Sequence, residues 1–202
     1  MIIPISNNIL DQFNLKNQNY LVNEQHYNDK SGIQEYRLYS YLTTYFNNIT
    51  ILDIGTLDGR SAVALSHNES NKVISYDIGD CINNKGHIIY SKPNITFKVK
   101  NVLDDLTEDL IKDVKIVLID IDHYETVERQ IIDRLKELNF SGIILLDDVF
   151  YHPDEDIKAC MIRLWEGLKE EDVGKKYDFS SYGHWSGTGV IVMNDNINFI
   201  EF

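Results

Sequence analysis

The sequence predicts an α/β fold: a three-layer sandwich around a seven-stranded, mostly parallel sheet closed by a C-terminal β-hairpin. Three observations predict it. Short apolar, β-branched runs recur along the 202-residue chain at 50–54, 73–77, 95–100, 115–120 and 142–147. Helix-compatible segments lie between and after them at 59–67, 104–112, 124–138 and 155–170, and strands alternating with helices build parallel sheets covered on both faces. The tail KYDFSSYGHWSGTGVIVM then breaks the alternation. It holds two strand-like segments, near 176–182 and 188–193, joined by Gly, Ser and Trp in a hairpin pattern.

Taken in order, residues 1–30 are polar and Asn-rich and read as a short lid or helical preface. Residues 33–46 (IQEYRLYSYLTTYF) place apolar and aromatic side chains at helical spacings. Tyr39, Tyr41, Tyr45 and Phe46 read as packing groups of that helix. Residues 1–47 therefore form an N-terminal segment, and 48–202 the core of the same single domain. No repeat, linker or low-complexity tract divides the chain.

Composition narrows the partners. Hydrophobic content of 43% and charged content of 25% are those of a globular domain. A net charge of −13 gives no basic footprint for nucleic acid. Cys81 and Cys160 form no metal-spaced cluster, and a structural disulfide is not expected. The start, MIIPISNNILDQ, lacks the basic and apolar regions of a signal peptide. No apolar run reaches the ~20 residues of a membrane span. The expectation is a soluble, cytoplasmic protein acting on a small molecule, with a homo-oligomer left open.

In open α/β sheets ligands bind beyond the carboxyl ends of the strands, so the polar groups at each strand end are the candidate site residues. The first run, ILDIGTLDGRSAVAL, ends in a turn bearing Gly55, Thr56, Asp58 and Gly59, with Ser61 opening the next helix. Such a turn presents backbone N–H groups to a nucleotide. Its Gly55-x-x-x-Gly59 spacing differs from the G-x-G-x-x-G of dinucleotide sites, which favours S-adenosylmethionine (SAM) over NAD. A tight turn without a ligand is the alternative. The second strand ends at Asp77, about twenty residues on, where a carboxylate can accept ribose hydroxyls. The third ends before Asn101 and Val102, placed to meet the adenine ring.

The fourth and fifth strands end in acids: KIVLIDIDHYET carries Asp120, Asp122 and His123, and GIILLDDVFYHP carries Asp147 and Asp148, with His152 nearby. Converging carboxylates repel and raise one another's pKa, and a hard divalent cation such as Mg²⁺ relieves this through oxygen ligation. Helix capping by Asp147 or Asp148 and surface ion pairs are the alternative. His123, three residues after Asp120, can serve as general base towards a hydroxyl. Gly183-His184-Trp185-Ser186-Gly187-Thr188-Gly189, in the late hairpin, either borders the substrate mouth or only makes the turn.

Together ILDIGTLDGRSAVAL, Asp77, LIDIDHYETV and GIILLDDVF resemble the class I SAM-dependent methyltransferases, whose fold is Rossmann-like. The likeness covers about residues 48–150; the rest matches in architecture only. Within that class the chain is similar to the metal-dependent O-methyltransferases acting on antibiotic sugars. That resemblance implies Mg²⁺ held by Asp120, Asp147 and Asp148, with His123 as base. It also implies SAM held by Gly55, Thr56, Asp58, Gly59, Ser61, Asp77, Asn101, Val102 and Asp120. Catechol-type enzymes carry Asp-Asn where this chain has Asp147-Asp148, which argues against a catechol acceptor. Two other readings stand beside an O-methyltransferase. One is a nucleotide-sugar glycosyltransferase using Asp120-x-Asp122 as a DxD motif; the other is a non-catalytic SAM- or nucleotide-binding module.

Overall fold

The computed structural model describes the chain except for residues 22–24, 30–32, 83–85, 183–185 and 202, and except for the side chains of 25–26. Residues 183–185 of the late glycine-rich segment therefore lie outside the described residues.

The chain runs β1 (Ile2–Ile5), α1 (Asn7–Gln12), α2 (Gln25–Asn28), α3 (Ile33–Thr43), β2 (Thr50–Ile54), α4 (Arg60–Leu65), β3 (Lys72–Asp77) and β4 (Ile95–Val99). It continues α5 (Glu108–Ile111), β5 (Val114–Ile119), α6 (Thr126–Glu137), β6 (Gly142–Leu146), α7 (Glu155–Gly167), α8 (Glu170–Val173), β7 (Lys175–Asp178), β8 (Gly189–Met193) and β9 (Asn198–Glu201). Seven strands form the sheet in the order β4-β3-β2-β5-β6-β8-β7. Strands β2 to β6 pair in parallel, and β8 inserts antiparallel between β6 and β7.

Period-two alternation assigns each strand residue to a face. Ile116 and Leu118 of β5 point into one core with Ile51, Ile143 and Val190, under α3 and α4. Val117 and Ile119 point into the other with Leu52, Ile144 and Ile191, under Ile131, Ile132 and Leu135 of α6 and Met161 and Leu164 of α7. Both faces are covered, so β5, β6 and β8 are almost continuously apolar, as strands buried on both sides must be.

The structure adds to the sequence reading in three places. The N-terminal residues do not form only a lid or helical preface. Ile2–Ile5 is a strand that pairs in parallel with Asn198–Glu201 in a separate two-stranded sheet, with Ile3 and Ile5 fully buried. The hairpin strand expected over 176–182 is Lys175–Asp178, and the chain turns at 179–182, where the Tyr182 amide donates to the Phe179 carbonyl. The helix expected over 104–112 is only Glu108–Ile111, preceded by a 3-10 turn at Val102–Asp104 that Asn101 caps.

Candidate functional site

The chain passes from β2 outwards to β3 and β4, then returns to place β5 on the other side of β2. This reversal opens a crevice at the carboxyl ends of β2 and β5, where open α/β sheets take their ligands. A cavity of about 550 Å³ lies there. Its walls include Gly55, Asp77, Asn101, Val102 and Asp120, five of the residues expected to hold a cofactor, together with Ile78, Asp122 and His123.

Local chemistry explains the cofactor side. Gly55 sits at φ +112°, and a Cβ added there would lie 1.6 Å from the Asp120 carbonyl oxygen, so only glycine lets β2 turn beside β5. Asp77 anchors the turn: its Oδ2 accepts the Leu57 amide at 3.1 Å and its Oδ1 accepts the Gly79 amide at 2.9 Å. Ile78 and Leu57 are exposed apolar residues at this rim, 85% and 62% accessible. The Asn101 carbonyl oxygen accepts the Leu103 amide, leaving its NH₂ as the donor towards the cavity.

The other four expected cofactor residues are not among the residues that line this cavity. Thr56 Oγ1 and Ser75 Oγ share a hydrogen bond of 2.6 Å, and Ser75 donates to Asp53 Oδ2 at 2.6 Å. Asp58 pairs with Arg60 at 2.7 Å. Gly59, at φ +85°, begins α4, and Ser61 is buried in that helix. Asp53 is fully buried, which pushes its carboxyl up to about 7 against the pull of Ser75 and Ser61.

The acid side is built differently. Asp120 follows β5, and Asp147 and Asp148 follow β6. A carboxylate oxygen of Asp120 and one of Asp147 lie within 4.8 Å of each other and of one from Glu35, which α3 brings in from the opposite layer. Glu35 and Asp147 are 5% and 6% exposed, and Asp147 Oδ1 has no hydrogen-bond partner. Burial, then Asp120, pushes Glu35 up to about 8; burial, then Glu35 and Asp120, holds Asp147 well above the usual carboxylate range. Oxygen donors that repel one another in a dry site fit a hard divalent cation.

Asp148 takes another direction. At φ +57° its carboxylate swings so that Oδ2 lies 3.4 Å from His123 Nε2 and 4.0 Å from His152 Nε2. His123, itself at φ +58°, also lies 3.4 Å from Asp120 Oδ1. Burial lowers the imidazole pKa, but Asp120, Asp148 and Glu128 together outweigh it and raise the group above its ordinary value. Helix capping, the alternative role for Asp147 and Asp148, belongs to Asp154, which accepts the amides of Asp156 and Ile157 and starts α7. Left-handed backbone at Leu57, His123 and Asp148 gathers strain at the mouth, as binding sites commonly do.

Sequence reasoning missed Glu35, which lay inside a helix read for its aromatic packing. It also missed Glu128, fully buried on α6 with neither carboxylate oxygen partnered. The available signal was that each is an acid among apolar helix positions. Asp122 lines the cavity but is not in the acid cluster found among the described residues.

No protein-family profile and no curated protein matches the sequence. Solved structures do resemble it. The cofactor-bound protein Rv0187 from MTB aligns with a TM-score of 0.60 at 17% identity, over 94% of this chain and 88% of that one. The O-methyltransferase from Bacillus cereus in complex with SAH aligns at 0.56 with 16% identity, over 93% of this chain and 92% of that one. SAH-bound Podospora anserina methyltransferase PaMTH1 aligns at 0.56 with 16% identity, over 78% of each chain. At these identities the likeness establishes the fold. The chain has the Rossmann-like fold of the SAM-dependent O-methyltransferases.

Proposed function

We propose that the protein is a SAM-dependent O-methyltransferase acting on a hydroxyl of a small molecule, a sugar or similar acceptor, with help from a divalent cation. The observation that carries this reading is the continuity of the site: one cavity runs from Asp77 and Asn101 to Asp120 and His123, beside the acid cluster. SAM supplies an electrophilic methyl group on a sulfonium. Gly55 allows the close backbone approach, Asp77 accepts the ribose hydroxyls, and Val102 and Ile78 flank the adenine, with the Asn101 NH₂ at its edge. Asp120 borders both halves and faces the methionine end.

On the acceptor side, Asp120 and Asp147 would hold the cation, which lowers the pKa of a bound hydroxyl and orients it. His123 lines the cavity and would take the hydroxyl proton on Nε2, where Asp120 and Asp148, each 3.4 Å away, stabilise the resulting imidazolium. Asp148 keeps that imidazole turned towards the mouth and stabilises its charged form. Burial of these groups keeps water from the transferred methyl. Most of the rate enhancement comes from alignment of the two reactants.

The DxD reading is less well supported, because Asp120 clusters with Glu35 and Asp147 rather than with Asp122. A non-catalytic binding module gives no role to His123 between two carboxylates. The acid excess and the acidic lining of the mouth favour a small acceptor over nucleic acid. Among the described residues, no helix is long and apolar enough to cross a membrane. Calorimetric titration with S-adenosylhomocysteine (SAH), with and without Mg²⁺, tests the reading. Micromolar binding is expected; absence of binding under both conditions would overturn it.

A further inference from the structure

Glu35, Asp120 and Asp147 come from three separate elements, yet an oxygen of each lies within 4.8 Å of the other two. Acidic clusters on a surface are common without an ion, but two of these three acids are buried, and Asp120, with 31% of its side chain exposed, opens the cluster to the mouth. Glu35 and Asp147 are at least nine-tenths buried, and Asp147 Oδ1 has no hydrogen-bond partner. A buried acceptor without a donor is rare in a folded protein and needs a reason. Among the described residues no Lys or Arg forms an ion pair with Glu35 or Asp147. Arg60 is engaged with Asp58 at 2.7 Å, and His123 Nε2 is shared between Asp120 and Asp148.

We propose that Glu35, Asp120 and Asp147 are the protein ligands of one hard divalent cation, Mg²⁺ or Mn²⁺, and that Asp148 is not a ligand but positions His123. An all-oxygen, all-carboxylate donor set selects such a cation over Zn²⁺. Mg²⁺ retains several waters at protein sites, so three carboxylates leave positions for water and an acceptor oxygen. Asp148, at left-handed backbone, is not in the 4.8 Å group, and its Oδ2 lies 3.4 Å from His123 Nε2 and 4.0 Å from His152 Nε2. Because Glu35 lies on α3, ahead of the whole seven-stranded sheet in the chain, the cation would clasp the N-terminal helix to the ends of β5 and β6. The inference draws on the methyltransferase reading only for the use of the cation. Binding itself is measured without SAM.

The test is Mn²⁺ binding, followed by electron paramagnetic resonance, in the full chain and in Glu35→Gln, Asp147→Asn and Asp148→Asn. The full chain is expected to bind one Mn²⁺. Glu35→Gln and Asp147→Asn should each weaken it by about 100-fold or more, at or beyond what loss of an outer partner costs, whereas Asp148→Asn, which removes only a neighbouring charge, should weaken it by about tenfold or less. Thermal unfolding without metal checks that each variant folds. If Glu35→Gln does not, Glu35→Asp keeps the charge while withdrawing the oxygen, and should weaken Mn²⁺ by about tenfold. No Mn²⁺ binding by the full chain overturns the proposal. So does binding by a Glu35 variant as tight as that of the full chain, or a loss in Asp148→Asn equal to that in Asp147→Asn. SAH calorimetry runs alongside: the expected Mn²⁺ pattern without SAH binding would support the cation site and sink the methyltransferase reading.

Discussion

The two halves of the mouth treat polar groups in opposite ways. On the cofactor side, beyond β2, β3 and β4, most polar atoms are occupied: both Asp77 oxygens accept backbone amides, Asn101 caps a 3-10 turn, and Thr56, Ser75 and Asp53 form a hydrogen-bonded chain, with Asp53 Oδ1 the exception. On the acceptor side, beyond β5 and β6, they are not. Asp147 Oδ1, both oxygens of Glu128 and Nδ1 of His123 are buried without partners. A satisfied half is a finished surface that shapes a pocket. An unsatisfied half stores unfavourable electrostatics that a cation or a proton can relieve, which is where reactive chemistry resides.

The comparison can be broken in three ways, the largest effect first. His123→Ala is expected to slow single-turnover methyl transfer by about 10²–10⁴-fold, the usual worth of a general base, while SAH affinity stays unchanged. Because neighbouring carboxylates raise this imidazole, the rate in the unaltered enzyme should climb with pH through a midpoint above the ordinary histidine value. The variant should lose that limb. A His123→Ala enzyme with an unaltered pH–rate profile would remove the base role.

Paired substitutions come next, with opposite signs. Asp77→Asn takes charge from a carboxylate that holds two amides, and should weaken SAH binding by about 10- to 100-fold in calorimetry, the worth of a charged hydrogen bond. Asp147→Asn removes a charge that repels Glu35 and Asp120. At pH 8 without divalent metal it should raise stability to urea by about 1–3 kcal/mol. If both substitutions destabilise alike, the two halves do not differ as described.

The smallest effect is in pH dependence. Asp53 and Glu35 are raised to about 7 and about 8 in the fold, above the ordinary carboxylate value near 4 that applies when the chain unfolds. Between these values the native state holds protons that the unfolded chain has released. Their contribution to stability is therefore complete below about pH 4 and is lost as pH rises towards 8. Urea unfolding in a chelator at several pH values should show this decline. Asp53→Asn should flatten its lower part, up to about pH 7; an unchanged slope in that variant would show that Asp53 is not raised.

Much of the sheet was legible because its signal is local. The run TILDI lies on β2 with the boundaries expected, and GIILL ends at the acids that follow β6. Gly55, Asp77, Asn101, Val102, Asp120 and His123 were placed by strand ends alone, and they line one cavity. The pairing of β1 with β9 was not legible. IIPI and NFIE are too short for a period, and their partner strand is at the far end of the chain. Glu35 was hidden for a related reason. Helical periodicity shows which face of α3 is buried, but not which carboxylates wait beneath it. The roles of Asp147 and Asp148 could not be separated either, since adjacent acids look equivalent until the backbone turns one of them to φ +57°.

By itself, then, the sequence determined the order of strands and helices from β2 to β8, the glycine turn and the acids at each strand end, because these follow from residue preferences over a few positions. Only the tertiary structure decided that Glu35 joins Asp120 and Asp147, that Asp148 serves His123, and that Thr56 and Ser61 face inward. Those outcomes depend on how separate elements pack. Electrostatic repulsion and hydrogen-bond satisfaction act through space, between groups whose separation in the chain says nothing of their distance.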